Sequence, residues 1–348
     1  MPAPPFTDLN MAQSPKHSRI EARSPQHGGT SIAAMQADRR RLNPPPGGTA
    51  PPVFITPKDT TLTRPTRDRN PDEHRKIFLQ TGIVPSASGS AYYEIPPPNR
   101  DSSGGLLFSQ TSSLKITCTV HGPRPLPRNA AFSSNLLLST HVKFAPFATR
   151  TRRGYVRDSS ERDLGLHLET ALRGVVIGER WPKSACEVVV TVLEGEEDAW
   201  WADGEASNRG AWGSMAVLAG CITVASAALV DAGIDCVDLI SGGVAAIDGA
   251  KGGFLVDPAP SEHNDLRAAC VVAYLQSRDE VTEVWMKGDV GSRVEALIDE
   301  AVKAATLTRT VLAEAVRESV EAKTDAVPGA NGAAREKAGR GKDVVMTG

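Results

Sequence analysis

The amino-acid sequence predicts a single α/β domain of the α+β type, in which mixed sheets pack against helices between two polar extensions. In the middle of the chain, short runs rich in β-branched residues alternate with apolar segments of helical period. Proline, serine, threonine and arginine dominate the first 80 residues, and the last part is again polar. Such segments bury too little apolar surface to offset the entropy of ordering. We therefore expect disorder at 1–80 and 321–348, and one domain at 81–320.

The first half of the domain contains three predicted strands, a helix and a buried strand. Strand patterns lie at 89–95, 114–121 and 135–144. Residues 161–176 place leucine and alanine at helical spacing, after capping candidates at 158–160. The apolar run that follows at 186–193 is typical of a strand buried on both faces.

The second half contains an apolar helix, four strands and a long helix. The helix at 214–232 ends at Gly233, a residue suited to a C-cap. The final helix at 290–320 carries an apolar stripe that Thr308 interrupts. Strand patterns between these helices lie at 237–247, 254–257, 268–276 and 281–286, and the last two form a predicted hairpin.

Composition excludes several classes of protein. The net charge of −2 gives no global attraction to nucleic acid, so only local basic patches are candidates. The five cysteines are scattered without a disulfide framework or a Cys-x-x-Cys zinc pattern, which favours free thiols in a reducing compartment. We find no run of about 18 apolar residues and no signal-peptide core, and so expect an intracellular protein without membrane contact.

Motifs spread along the domain resemble the RNase PH fold. Residues 80–94 lead a run of small residues into Tyr-Tyr-Glu, and the next strand ends in His-Gly-Pro-Arg at 121–124. Ala-Pro-Phe at 145–147, the helix and strand at 222–242, and Phe-Leu-Val-Asp-Pro at 254–258 follow in the family's order. The resemblance covers about 240 residues. It implies a fold shared by phosphate-dependent RNA-degrading enzymes and by inert ring subunits of the RNA exosome.

The resemblance also implies where a phosphate cradle would lie. Active members build it from D-G-G-T-R after the central strand, where amides and an arginine clamp the anion. This chain has Glu-Gly-Glu-Glu-Asp at 194–198 without Thr-Arg, and the arginine position falls on Leu218. The acidic residues of this stretch would repel phosphate. A second family arginine falls on Ser160, with Arg162 two residues away.

The catalytic aspartates of the family are also replaced. In the family register their positions hold His263 and Ala269. Glu262, His263 and Asp265 are an alternative acid–base or metal cluster, although an exposed loop is the simpler interpretation. Because all these motifs are missing together, we expect no catalytic residue, no metal and no cofactor. The alternative is an active phosphate-dependent 3′-to-5′ exoribonuclease with a drifted site.

Arginines after the third strand are candidates for RNA binding. In the family this loop lies near the RNA channel, where arginine neutralises phosphates and tyrosine stacks on a base. Pairing with acidic partner subunits and simple solvation remain alternatives, and Arg128 is a further basic residue near Arg124. The RNA-binding candidates are Arg124, Arg150, Arg152, Arg153, Tyr155 and Arg157.

Two further segments are candidates for partner binding. Arg39, Arg40 and Arg41 form a basic spot that is either a solvated stretch or an anchor. Trp200 and Trp201 lie in an acidic insertion that is either a partner contact or a surface loop. The resemblance implies a hetero-hexameric ring of related subunits under RNA-binding cap subunits, with single-stranded RNA inside. It also implies RNA processing, including rRNA, and RNA degradation in the nucleus, nucleolus and cytoplasm.

Overall fold

The computed structural model describes residues 66–97, 113–149, 152–154, 156–196, 212–263 and 265–325. All of these described residues belong to one unit. The strands are Phe78–Thr81 (β1), Gly89–Ile95 (β2), Leu114–Pro125 (β3), Leu137–Phe144 (β4), Ser184–Glu194 (β5), Ile240–Asp248 (β6), Phe254–Val256 (β7), Leu266–Leu275 (β8) and Glu280–Gly288 (β9), and the α-helices are Ser159–Arg173 (α1), Gly213–Asp231 (α2) and Val294–Asp325 (α3).

The predicted α+β fold is confirmed, and each predicted helix and strand is present with small shifts of its ends. The packed chain begins earlier than the boundary expected at residue 81, because residues 66–80 already pack and include β1. Strand β1 pairs with β2 from Phe78 opposite Glu94 to Thr81 opposite Ala91. A strand of four residues is too short to show a clear alternating pattern, and so the sequence did not predict it.

The first sheet has the order β1-β2-β3-β5-β4, and β4 runs parallel to β5 while the other pairs are antiparallel. Helix α1 makes the crossover between the two parallel strands. It begins with a capping box in which the Asp158 side chain and Glu161 satisfy backbone N–H groups of the first turn. The Glu161 carboxylate also accepts hydrogen bonds from Phe144 N at 2.9 Å and Lys143 Nζ at 3.0 Å, and this fixes the helix start against the end of β4.

The second sheet is antiparallel with the order β7-β6-β8-β9. Helix α2 packs against both sheets, and α3 covers the other face of the second sheet. Polar contacts join the layers on each side of β6. Gly242 N donates to Thr223 Oγ1 of α2 at 3.1 Å, and Ser241 Oγ donates to Ala305 O of α3 at 2.8 Å.

Helix α2 corrects the expectation that no apolar run is long enough to cross a membrane. Its 19 residues have a mean hydropathy of 1.9, enough for a membrane span by length and composition. However, 89% of that window is buried inside the protein, between the two sheets. A helix that is apolar all round is also typical of a protein core.

The five cysteines are free thiols, as predicted, and four of them are buried. Burial raises the pKa of Cys186 and of Cys270 to about 12. Because the thiolate is the reactive form, these two cysteines are inert packing residues.

Candidate functional site

Three chain segments meet where β5 and β7 end. They are the stretch before β1, the residues just after β5, and the turn after β7. Their charged side chains form an arginine–carboxylate cluster in which the central ones, Arg75, Glu196 and Asp257, are at most 5% exposed. The cluster consists of Arg67, Arg69, Arg75, Glu196, Asp257 and Glu262.

Arg75 is the centre of the cluster. Its Nε and Nη2 donate to the two carboxylate oxygens of Asp257, each at 2.7 Å, and its backbone N–H donates to Asp257 Oδ2 at 3.0 Å. Its Nη1 and Nη2 donate to the two oxygens of Glu196 at 2.8 and 3.2 Å. Four of the five N–H donors of this guanidinium therefore already point at carboxylates.

The other two arginines fasten the segment before β1 to the turn after β7. Arg69 binds Glu262 Oε1 at 2.7 Å and the carbonyl oxygen of Asp257 at 2.9 Å. Arg67 binds main-chain carbonyl oxygens, including Val256 O at 2.9 Å in β7. Its other acceptors are the carbonyl oxygens of Asn70, Pro71, Glu73 and Asp257.

Burial and charge act in opposite directions on the ionisable groups of the cluster. Burial alone would raise the pKa of Asp257, but Arg75, His74 and Arg69 outweigh it and hold this pKa well below its usual range. Burial raises the pKa of Glu196 above its ordinary value, although Arg75 opposes this shift. Burial lowers the pKa of Arg67 to about 10. Three cations and three carboxylates balance one another in charge, although Arg67 Nε, Arg69 Nε and Glu262 Oε2 are buried without a hydrogen bond.

The two positions expected to carry the family's phosphate-binding arginines hold side chains that cannot bind phosphate as arginine does. Leu218 of α2 is buried in the apolar core of the protein, and Ser160 is an exposed residue at the start of α1. Arg162 is exposed on the same helix. Ala269, at one aspartate position, is buried in β8 opposite Ala246.

The alternative acid–base cluster does not hold its expected arrangement. Glu262 is buried against Arg69, whereas Asp265 is exposed. His263 is half-buried, not exposed as the sequence suggested. Within the part of the chain that the structure describes, no group of three or more histidine, cysteine, aspartate or glutamate residues could hold a metal ion.

The acidic stretch after β5 is not the row of free charges that the sequence indicated. Glu194 accepts hydrogen bonds from Lys115 Nζ and Ser113 N, each at 2.8 Å. Glu196 is neutralised by Arg75. Residues 197 and 198 lie outside the described residues. Two of the four carboxylates are therefore paired and are not free to repel phosphate, and Glu196 instead occupies the guanidinium of Arg75.

We call residues 150–157 the arginine loop. Its described residues, 152–154 and 156–157, lie beside the edge strand β4, because Lys143 Nζ donates to the carbonyl oxygens of Gly154 and Val156. Arg152 is exposed, whereas Arg153 is half-buried with its guanidinium 4.2 Å from the ring centre of Phe144. Arg157 is exposed and donates to His141 Nδ1 at 2.7 Å. Arg150 and Tyr155 lie outside the described residues.

Arg124 is not part of that loop. It pairs with Ala185 at the start of β5, whereas Phe144, beside Arg153, pairs with Val192 near the end. These positions on β5 are separated by about 23 Å, seven residues of extended chain. Arg124 and the arginine loop therefore belong to two separate basic sites, whereas the sequence analysis placed them in one group of RNA-binding candidates.

A second basic site, which we call the β3–β5 end, surrounds Arg124. Arg128 and Lys183 are exposed nearby, and Lys183 Nζ lies 5.4 Å from the ring centre of Phe132, which is 71% exposed. Sequence reasoning missed Phe132 and Lys183. Phe132 could have been found, because it is an aromatic residue four positions after Arg128. Lys183 could not, because it is far from Arg124 in the sequence and only the pairing of β3 with β5 brings it close.

The remaining candidates lie outside the described residues. These are the partner-binding candidates Arg39, Arg40, Arg41, Trp200 and Trp201.

Comparisons with known proteins agree with this fold. The model of the "3' exoribonuclease family, domain 1" matches residues 73–235. "Exosome complex component MTR3" of Chaetomium thermophilum is 47% identical over 298 residues, which are 81% of this chain and 99% of the relative. The mtr3 exosome component of Schizosaccharomyces pombe is 32% identical over 80% of this chain and 96% of its own length.

Two solved structures share the fold at low sequence identity. The crystal structure of rice Rrp46 matches with a TM-score of 0.54 and 15% identity, over 72% of this chain and 98% of that one. An Archaeoglobus fulgidus exosome with RNA bound to the active site matches with a TM-score of 0.50 and 18% identity, over 71% and 90%. These two structures support the fold alone, whereas the two fungal relatives show that the chain belongs to the MTR3 family of exosome components.

Proposed function

We propose that this chain is a catalytically inert structural subunit of the RNase PH-like ring of the exosome. The observation that carries the proposal is the bidentate pair between Arg75 and Glu196, at the point where β5 ends. That point corresponds to the D-G-G-T-R cradle of the active enzymes that the chain resembles. An incoming phosphate would meet a buried, charge-balanced ion network there.

The neighbouring positions support the same conclusion. Leu218 and Ala269 are buried apolar residues where the active family has an arginine and an aspartate. Neither side chain can clamp an anion or transfer a proton. Glu262, the acidic residue next to the aspartate position that holds His263, is bound by Arg69 at 2.7 Å. Each substitution removes a different part of phosphorolysis, so restoring one would not restore the reaction.

The proposed role is assembly and the conduction of RNA. The partners are related ring subunits and RNA-binding cap subunits, and the membership of the chain among exosome components supports this assignment. Among the described strands, β4 and β9 are long strands at sheet edges, and neighbouring subunits would cover such edges. We propose RNA processing, including rRNA, and RNA degradation by the complex in the nucleus, nucleolus and cytoplasm. Fluorescent tagging of the chain at its own locus tests the location.

We propose two separate contacts with RNA. One is the arginine loop on β4 and the other is the β3–β5 end, where exposed cations lie next to an exposed aromatic ring. Each could neutralise phosphates, and Phe132 offers a face for base stacking. The weak overall charge implies that the isolated chain binds RNA poorly and that the ring combines contacts from several subunits.

The decisive test is a phosphorolysis assay. The purified chain, with phosphate, Mg²⁺ and single-stranded RNA, should release no nucleoside diphosphates, whereas an active RNase PH in the same buffer does. Release that copurifies with the folded chain and disappears in H263A or Asp265→Asn would replace the inert assignment by the active exoribonuclease. Mass measurement with candidate ring subunits tests assembly in parallel.

A further inference from the structure

The two carboxylates on Arg75 are held in different ways. Asp257 accepts bonds from the side chain and the backbone of Arg75, and its own carbonyl oxygen binds Arg69. Glu196 is held through the Nη1 and Nη2 groups of Arg75, with one carboxylate oxygen on each nitrogen. Asp257 is therefore part of the framework of the turn, whereas Glu196 occupies the Nη1–Nη2 side of the guanidinium as a ligand would.

We propose that this side of Arg75 is a binding site for small monocarboxylates, which the chain fills with its own Glu196. Removal of that side chain creates a site for formate or acetate. The proposal concerns the ligand preference of Arg75 and does not depend on the role of the chain in the ring.

The guanidinium fork fits either a carboxylate or a phosphate, and the space left by Glu196 favours the smaller carboxylate. Two parallel N–H···O bonds of 2.8 and 3.2 Å match the fork of a guanidinium to the two oxygens of one carboxylate. Glu196→Ala removes Cγ, Cδ and two oxygens, which are the four heavy atoms of acetate. Phosphate has five heavy atoms in a tetrahedral arrangement and needs more space. Arg75 and Glu196 are both buried, with side chains 5% and 3% exposed, so the space that Glu196→Ala opens is small.

The test is chemical rescue of Glu196→Ala. Thermal unfolding is followed at pH 7 in sodium chloride, formate, acetate and phosphate at matched ionic strength. In chloride the variant should unfold at a lower Tm than the native chain, because the buried Arg75 has lost one of its two partners. With a Kd of about 10 mM, 100 mM formate or acetate should multiply its ratio of folded to unfolded protein about elevenfold. Phosphate should have a smaller effect.

Matched variants define the site. Glu194→Ala removes a half-exposed carboxylate from the end of the same strand and should respond equally to all four salts. Glu196→Gln keeps a side chain of the same size in the site, so formate and acetate should not raise its Tm relative to chloride. In the double variant R75K/E196A the rescue should be lost, because lysine lacks the planar fork. If E196A does not fold, E196S, which is also short enough to open the site, takes its place under the same criteria.

Two results would overturn the proposal. One is a response of E196A to formate and acetate that equals the response of Glu194→Ala. The other is stronger stabilisation by phosphate than by acetate. Neither depends on diphosphate release, so the proposal can fail while the inert assignment stands, and the reverse also holds.

Discussion

Gly242 and Gly243 are neighbours in β6 that face opposite layers of the molecule. A Cβ atom added at Gly242 would lie 2.4 Å from the carbonyl oxygen of Ala219 in α2. At Gly243 it would lie 2.2 Å from the carbonyl oxygen of Ala301 in α3. Both distances are far below van der Waals contact, and in both cases the obstacle is backbone. The two helices therefore approach β6 to a distance that only glycine permits.

We predict that Gly242→Ala and Gly243→Ala each lower the free energy of unfolding by about 3 kcal/mol, at the upper end of the usual range for overpacking. The reason is that a methyl group would force a helix away from the sheet. Urea unfolding followed by circular dichroism measures the change. Gly253→Ala is the matched control, because a Cβ there meets nothing within 4 Å. Equal urea midpoints for G243A and G253A would contradict the close packing.

The second prediction concerns acid stability. Arg75 holds the pKa of Asp257 below its usual range, so Asp257 stabilises the fold above the unfolded pKa of about 3.9. That contribution is lost as the pH falls from there toward the folded pKa. Asp257→Asn should cost about 3–5 kcal/mol at pH 7, because it leaves a buried cation with one partner fewer. Below pH 4 the difference between the native chain and D257N should shrink by up to about 1.4 kcal/mol per pH unit.

Urea unfolding at pH 7, 5, 4 and 3 measures this difference. Glu196 shifts the other way, since burial raises its pKa and the Asp257 charge adds to that rise, so the comparison is repeated in an E196Q background, where this carboxylate is absent. Asp265→Asn, which removes an exposed carboxylate, serves as the control and should show a small effect at every pH. A D257N difference that stays constant from pH 7 to pH 3 would show that Asp257 is not ionised against Arg75.

The third prediction separates the two basic sites in the assembled ring. R152A/R157A and R124A/R128A should each weaken RNA binding and lower the salt dependence, by about 0.7 in the logarithmic slope for each lost phosphate contact. Because the sites lie far apart, their effects should add within about 0.5 kcal/mol. Arg153 is left unchanged because it packs on Phe144. Fluorescence anisotropy at two salt concentrations gives both quantities.

Assembly must be measured on the same samples. If the loop arginines pair with acidic groups of a neighbouring subunit, R152A/R157A will fail to enter the ring, and any assembled complex will bind RNA normally. Lys251→Ala removes an exposed cation from the turn after β6 and should change neither property. Normal assembly with unchanged RNA affinity in R152A/R157A would show that these arginines contact neither RNA nor a neighbouring subunit and are simply solvated.

The elements with long periodic patterns were predictable. The stripe that includes Leu164, Leu168 and Leu172 predicts α1, and the structure buries all three. The apolar run of α2 predicts a core helix for the same reason. Strand β1 was not predictable, because four residues hold too little pattern and its stability comes from pairing with β2. Local patterns therefore predict the longer elements, whereas a strand as short as β1 depends on a neighbour that the sequence does not place.

The sequence did not predict the arginine–carboxylate cluster, because its members are far apart along the chain. Asp257 was recognised within a family motif, but Arg75 fell in the segment expected to be disordered. The two residues are separated by 182 positions, and Arg75 and Glu196 by 121. No composition or spacing rule connects charges so far apart. The prediction that Glu196 is a free charge that repels phosphate was wrong, because the sequence does not show that Arg75 is its partner.

The long separation between Arg75 and Asp257 also has a consequence for the newly made chain. At about 5–20 residues per second, the ribosome needs roughly 10–40 s to travel from one residue to the other. Until Asp257 has left the ribosome, the arginines before β1 have no turn to close on and remain solvated. The segment that holds these arginines is thus made before all the strands, but it can bind the turn at 256–262 only after that turn has emerged. Because β8, β9 and α3 follow residue 262 in the chain, the second sheet and its helix cover are completed only after this closure has become possible.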